Sequence, residues 1–167
     1  MCIKKILAWL SPDVPPTPPP PDTSGKKRIA LLFGINDYGG ASDLNGCLND
    51  IDDVAKKLNA EFPGFVIQKF KDAEVTRSRF YNTIKDTLAT LVAGDVLYIH
   101  YSGHGTTVPD AREQNGYSEA LYLSDGVFID DKIQELQALT PLGVKVIAKL
   151  DSCFSGDMLR DFAGNPH

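Results

Sequence analysis

The sequence predicts a single α/β domain in which a mainly parallel sheet is covered by helices on both faces. Short apolar runs rich in β-branched residues alternate with segments of helical spacing, in the order strand, helix, strand, helix, strand, helix, strand. The length of 167 residues and the hydrophobic content of 43% are ordinary for one globular domain. We expect about four strands in the sheet, one for each apolar run of strand length.

The predicted strands are apolar runs bounded by glycine or charged residues. They are Arg28–Gly34, Phe65–Phe70, Asp95–Tyr101 and Val144–Leu150. The predicted helices begin at a capping side chain and carry apolar residues on one face. They extend from Asn45 or Asn49 to near Ala60, from Thr76 to Val92, and from Asp130 to Leu139, before Pro141. The polar stretch Thr106–Ser118 is predicted to be a loop.

Two segments of different composition precede this domain. Residues 1–10 are a short amphipathic segment, which we expect to be a frayed terminus or a helix without a partner rather than a membrane contact. Seven of the eleven residues from Ser11 to Pro21 are proline, which predicts a stiff, extended linker over residues 11–25. The folded domain is then expected over residues 26–167.

The charge and the cysteine content narrow the class of protein. Acidic residues outnumber basic ones by 22 to 17, which argues against nucleic acid or an anionic membrane as a partner and suits a cationic substrate or a bound cation. The three cysteines show no C-x-x-C spacing, so neither a disulfide framework nor a structural zinc site is expected. A cytoplasmic location fits this pattern, and no apolar run reaches the ~20 residues of a membrane-spanning helix.

A histidine and a cysteine follow two of the predicted strands. His104 and Cys153 each lie three residues past the last strand residue, in a turn of small residues. If these strands are parallel neighbours, about 4.8 Å apart, their carboxyl ends bring the imidazole and the thiol together. A thiol beside an imidazole can become a thiolate nucleophile, with the imidazole as base and later as acid. The sequence therefore predicts a cysteine–histidine enzyme, in which Gly103 and Gly105 let the backbone bend tightly.

The sequence motifs around these two residues resemble those of a known family. His104 precedes Cys153 by 49 positions, close to the spacing of about 50 in caspase-type proteases. The motifs YSGHG and DSCFSG are similar to those of metacaspases, as are the segments Ala30–Asp53 and Gly116–Asp131. The resemblance implies a caspase-like three-layer fold and a cysteine endopeptidase with a Cys–His dyad and an acyl-enzyme. It also implies that the amides of Gly105 and Cys153 form the oxyanion hole.

The same resemblance implies a substrate preference. Metacaspases cleave after arginine or lysine, and their specificity pocket uses the positions that match Asp50, Ser102 and Asp151. A partly buried carboxylate at Asp151, at the end of a strand, would itself require a cationic partner. For Asp50 the alternative is a carboxylate at a helix start, where it stabilises the helix dipole.

Adjacent acids at the start of the third predicted helix suggest a metal. The resemblance implies calcium bound by the pair Asp130 and Asp131. Glu113 and Asp161 could supply further oxygen ligands of the kind that calcium prefers, although neither aligns cleanly with the family. Arg160, however, stands close to where another acid is expected. The alternative for the pair is helix capping.

Two other residues invite a functional interpretation and receive a structural one. His100 and His104 have H-x-x-x-H spacing, but this aligns two imidazoles only on a helix, so we expect His100 to be a packed or hydrogen-bonded strand residue. Cys47 is expected to be a small buried residue below the first loop.

The chain also departs from the family pattern. Phe154 stands where metacaspases often carry histidine. Only fourteen residues follow Cys153, so the two strands of the small subunit are expected to be absent and Val144–Leu150 to lie at a sheet edge. Either a small-subunit-like protein or self-association would then complete the sheet, or the chain is a fragment.

Two rival functions remain at this stage. One is a regulatory or decoy subunit without catalysis, which the missing carboxyl half favours. The other is a flavodoxin-like nucleotide or flavin binder, which rests on the strand and helix order alone and lacks a Walker A or G-x-G-x-x-G motif.

Arg112 is the only basic residue at which the loop Thr106–Ser118 could be cleaved.

Overall fold

The computed structural model describes residues 3–10, 25–112 and 116–154, with only the backbone described for residues 3–10, Asp130, Cys153 and Phe154. Nearly all of the predicted proline-rich linker lies outside these residues. None of the described helices has the length and the apolar run that a membrane crossing needs.

The described strands form one sheet with a parallel centre. The strands are β1 (Ile3–Leu10), β2 (Arg28–Gly34), β3 (Phe65–Lys71), β4 (Val96–Pro109), β5 (Tyr117–Leu123), β6 (Gly126–Ile129) and β7 (Lys145–Phe154). Their order is β1-β7-β4-β2-β3, and β5 and β6 continue the sheet from the second half of β4. The four strands β7, β4, β2 and β3 run parallel, as predicted, whereas β1, β5 and β6 pair antiparallel. The sheet as a whole is therefore mixed.

Helices cover both faces of the sheet, as predicted. They are α1 (Cys47–Glu61), α2 (Arg77–Leu88) and α3 (Asp130–Ala138). The central strand β2 is buried on both sides: Leu31 and Phe33 join the core that includes α2 and α3, and Ala30 and Leu32 join the core that includes α1. A strand that is covered on both faces is expected to be continuously apolar, and this explains why β2 has an unbroken run of apolar residues.

The two longer helices begin differently. The side chain of Thr76 accepts a hydrogen bond from the Arg79 amide at 3.2 Å, so the predicted cap of α2 is confirmed. The N-cap of α1 is Gly46, and neither predicted asparagine occupies that position. Instead Asn36 Oδ1 accepts from the Cys47 amide at 2.9 Å, which satisfies a free donor at the helix start from a distant loop.

Strands β4 and β7 are longer than predicted. They continue through His104 and Cys153, so these residues lie within strands and the predicted tight bend at His104 is wrong. The predicted loop is wrong in its first part as well, because Thr106–Pro109 belong to β4 and pair with β5. The reason is the hairpin partner, since β5 satisfies backbone groups that a loop would leave to water.

The first segment is a strand, which corrects two expectations. β1 lies antiparallel along β7, from Ile3 opposite Ser152 to Leu10 opposite Lys145. The frayed terminus or unpartnered helix is therefore wrong, and Val144–Leu150 is not at the edge of the sheet. An open edge beside a buried strand presents unpaired N–H and C=O groups, and β1 satisfies them.

Replacing Ile6 and Leu7 together by proline should loosen β1 from β7. Adjacent N–H groups point to opposite sides of a strand, so one of the two prolines must remove a donor to β7. We expect a loss of about 2 kcal/mol, which lowers the melting temperature by about 4–8 °C for a chain of this size, together with concentration-dependent association. Calorimetry and light scattering after size exclusion check this, with the double valine variant as control. An unchanged melting temperature and a monomer would contradict it.

Candidate active site

The predicted neighbours His104 and Cys153 are direct partners across β4 and β7. The parallel register pairs Ser102 with Asp151, Gly103 with Ser152, His104 with Cys153, and Gly105 with Phe154. The predicted pairing of the two strand ends is confirmed by this register. Gly105 also pairs with Leu121 of β5 on its other side. The Cys153 side chain lies outside the described residues, so its role stays a prediction.

The His104 ring is held by a main-chain carbonyl. The ring is nearly buried, and its Nε2 lies 2.6 Å from the carbonyl oxygen of Ser42. A carbonyl oxygen can only accept a hydrogen bond, so Nε2 must carry the proton. In a neutral imidazole Nδ1 is then free to act as a base. Sequence reasoning missed this contact, because any residue type at position 42 offers the same carbonyl.

The loop that carries Ser42 is folded by its own hydrogen bonds. The Asp43 carboxylate accepts from the amides of Tyr38 at 2.8 Å and Gly40 at 3.1 Å, and these bonds lower the pKa of that carboxyl. The carbonyl of Asn36 accepts from the Leu44 amide at 2.8 Å, which closes the loop. An aspartate that binds amides earlier in its loop fixes the backbone locally, so the Ser42 carbonyl has a defined place.

Two tyrosine hydroxyls contact the backbone of His104. Its amide donates to the Tyr38 hydroxyl at 2.8 Å, and its carbonyl oxygen lies 2.9 Å from the Tyr101 hydroxyl. A Cβ atom added to Gly103 would lie 2.6 Å from the Tyr38 hydroxyl and would also collide with that of Tyr101. Gly103 is therefore required for space beside the hydroxyls, and not for a bend as the sequence suggested.

The three predicted substrate-binding residues lie together. Ser102 Oγ donates to Asp50 Oδ2 at 2.8 Å, and Ser102 is the cross-strand partner of Asp151. Burial raises the pKa of the nearby Cys47 thiol, and the negative charges of Asp50 and Asp151 raise it further. Cys47 is thus a buried and unreactive thiol, as expected. Asp50 also lies in the first turn of α1, so the helix-dipole interpretation applies to it too.

His100 is a packed strand residue. It is 1% exposed, and neither ring nitrogen has a hydrogen-bond partner among the described residues. Burial, with a smaller effect from the positive charge of Lys149, lowers the pKa of His100 to about 4. The imidazole is therefore neutral at physiological pH.

Among the predicted calcium ligands, the structure describes the side chain of Asp131, and an arginine contacts it. The Arg112 guanidinium donates to both carboxylate oxygens of Asp131, at 3.1 and 2.9 Å, and to the Asp110 carboxylate at 3.0 and 2.6 Å. These bonds hold the pKa of Asp110 well below its usual range. In the part of the chain that the structure describes, no three His, Cys, Asp or Glu side chains are grouped for a metal. The Asp130 side chain, Glu113, Arg160 and Asp161 lie outside that part, so calcium stays a prediction.

A mixed sheet with a parallel centre, covered by helices and carrying a histidine and a cysteine at paired positions of neighbouring parallel strands, defines a caspase-like domain. The family model described as metacaspase, peptidase C14 domain, matches residues 27–161. The chain therefore belongs to the metacaspase family.

Individual relatives agree with this assignment. Metacaspase-1 of Coccidioides immitis is 34% identical over 148 residues, which cover 80% of this chain and 32% of that protein. Metacaspase-1B of Aspergillus clavatus is 32% identical over an alignment of 184 positions, which cover 91% and 45%. A crystal structure of a protein from Geobacter sulfurreducens matches with a TM-score of 0.69 and 34% identity, over 84% of this chain and 56% of that one. The chain thus spans less than half the length of these two curated relatives.

The buried His100 should make the fold less stable as the pH falls from about 6.5 to about 4. The unfolded chain binds a proton on this residue in that window and the folded chain does not, so stability drops by on the order of 3 kcal/mol. Denaturant unfolding at pH 7 and pH 4 of the parent chain and of His100→Leu checks this. The drop should be smaller in the variant, and equal drops would contradict the assignment.

Proposed function

We propose that this chain is the catalytic part of a cysteine endopeptidase in which Cys153 is the nucleophile and His104 is the general base. The observation that carries the proposal is the register that pairs His104 with Cys153, together with the hydrogen bond that fixes the His104 ring on Ser42. If Nε2 donates its proton to the Ser42 carbonyl, Nδ1 is the ring atom without a proton in the neutral imidazole. That atom is the one available to a neighbouring thiol.

The proposed reaction has two halves. In the first, His104 Nδ1 takes the thiol proton, Cys153 Sγ bonds to the peptide carbonyl carbon, and the amide C–N bond breaks as the imidazolium returns the proton to the leaving amine. In the second, a water gives a proton to Nδ1 and attacks the thioester carbon. The C–S bond then breaks, which frees the new carboxyl end, and the imidazolium returns its proton to Cys153 Sγ. We assign the Gly105 and Cys153 amides to the oxyanion that forms in each half.

We further propose that the substrate carries arginine or lysine before the scissile bond. Asp50, Ser102 and Asp151 support this, because Ser102 Oγ binds the Asp50 carboxylate and Ser102 is the cross-strand partner of Asp151, two residues before the paired His104 and Cys153. A guanidinium or ammonium group could bind both carboxylates.

A partner chain is also part of the proposal. We propose that a small-subunit-like protein, a second copy, or further residues of the same polypeptide supply the remainder of the substrate groove, since the chain spans less than half the length of these curated relatives. The alternative is a regulatory or decoy subunit that binds a partner chain without catalysis. We propose a cytoplasmic location for either form, which the cysteine pattern supports.

Peptidase activity is tested with fluorogenic peptides that end in arginine, lysine or leucine. We expect hydrolysis after arginine and lysine only, and complete loss in Cys153→Ala. Asp151→Asn should lower kcat/KM for the arginine peptide by about 30-fold or more, because truncating one partner of a buried charge pair costs at least about 2 kcal/mol.

Asp52→Asn is the matched control for Asp151→Asn. It also removes one negative charge, but Asp52 lies on α1 and its carboxylate pairs with Lys69 of β3. A selective arginyl electrophile separates the two functions when no turnover is seen. Labelling of Cys153 supports the enzyme, and no labelling of a folded chain supports the decoy.

Calcium binding at Asp130 and Asp131 would require the release of Arg112. We therefore expect Arg112→Gln to bind calcium more tightly than the parent chain, measured by calorimetric titration with calcium chloride. Lys132→Gln is the control. Like Arg112→Gln it removes one positive charge, but Lys132 lies on α3 and its partner is Glu135. Equal affinity in all three proteins would contradict competition between Arg112 and the metal.

A further inference from the structure

We propose that Tyr38 and Tyr101 are positioning residues, which hold the His104 backbone so that its imidazole reaches Ser42 and Cys153 together. This inference rests on the proposed cysteine-peptidase function and assigns two residues that the sequence did not single out. Neither hydroxyl needs to touch the substrate.

Tyr38 contacts His104 in two ways. Its hydroxyl accepts from the His104 amide at 2.8 Å, and its ring lies 4.5 Å from the imidazole, measured between centroids, at an angle of 51°. One side chain therefore fixes both the main chain and one face of the ring. Since Tyr38 and Ser42 belong to the same folded loop, the loop that binds Nε2 also sets the position of the backbone beneath it.

Tyr101 holds the other side of the same peptide. It is fully buried, and its hydroxyl lies 2.9 Å from the carbonyl oxygen of His104 and 2.8 Å from that of Tyr122 in β5. The Tyr38 hydroxyl lies 3.3 Å from that of Tyr101 and donates to the Tyr122 carbonyl at 3.2 Å. The two phenols thus connect the first loop, β4 and β5 around one residue.

The chemistry of the phenols suits a fixed network. A phenolate could not donate to a carbonyl, so each hydroxyl must stay protonated. Burial raises the pKa of Tyr38 to about 12 and that of Tyr101 well above its usual value, so both remain neutral wherever the enzyme would work. Gly103 leaves the space that the hydroxyls occupy, and any side chain there would displace them.

Removal of either hydroxyl leaves a nearly buried His104 group without its partner. The peptide should then shift, and the imidazole should lose its alignment with the thiol before it loses the fold. A positioning role predicts a loss in kcat and a changed pH dependence, whereas a merely structural role predicts only a lower melting temperature.

The test compares Tyr38→Phe and Tyr101→Phe with Tyr98→Phe, a control that removes a phenol hydroxyl from the same strand. With the arginine peptide, each of the first two variants should lower kcat about 10-fold or more with KM within about twofold, and the control should do neither. Tyr38→Phe keeps the ring and should retain more activity than Tyr38→Ala. Parent-like kcat in both variants, or a fall in melting temperature alone, would overturn the proposal.

A second readout separates this inference from the proposed function. The rate at which iodoacetamide alkylates Cys153 is followed against pH, with the modified cysteine located by mass spectrometry. The parent chain should react at lower pH than an ordinary thiol, and the two phenylalanine variants should shift the profile upward. If peptide hydrolysis is absent but this shift is seen, the peptidase proposal fails and the positioning role stands. If hydrolysis is present and the profiles coincide, the positioning role fails alone.

Discussion

The hydrogen bond between His104 Nε2 and the Ser42 carbonyl is the contact on which the proposed chemistry depends. It determines which ring nitrogen holds the proton, and so which one can act as a base. The contact joins two segments that are far apart in the sequence, a strand and a loop. Its geometry is therefore a property of the fold, maintained by the sheet on one side and by the hydrogen bonds of the loop around Asp43 on the other.

The sheet contributes the other half of the site. The parallel pairing of β4 with β7 fixes His104 opposite Cys153. The same register sets Ser102 opposite Asp151, two residues earlier in each strand. A shift of one residue would separate both pairs at once. The pair of Ser102 with Asp151 and the proposed dyad are thus coupled through a single register. Because β1 covers the outer side of β7, the strand that carries Cys153 is paired on both sides.

The sequence predicted the parts that depend on local pattern. The bounds of β2, the Thr76 cap and the pairing of the two strand ends follow from apolar runs, one side chain and the rules for parallel sheets. The Ser42 carbonyl was missed because a main-chain atom leaves no residue-type signal. The pairing of β1 was missed because no local pattern in residues 1–10 identifies the partner strand. Two adjacent acids in a sequence are compatible with a bound metal and with a bound arginine. The contact of Arg112 with Asp131 is therefore seen only in the folded chain.

The tautomer of His104, which is the ring nitrogen that carries the proton, can be measured directly by nitrogen-15 NMR of the imidazoles. Cys153→Ala, studied at about pH 8, removes any exchange with the thiol. The chain has three histidines, so a His104→Gln variant assigns the signals. We predict a single tautomer of His104 with the proton on Nε2 and none on Nδ1. A proton on Nδ1, or rapid exchange between the two nitrogens, would contradict the hydrogen bond to Ser42 and the base assigned to this site.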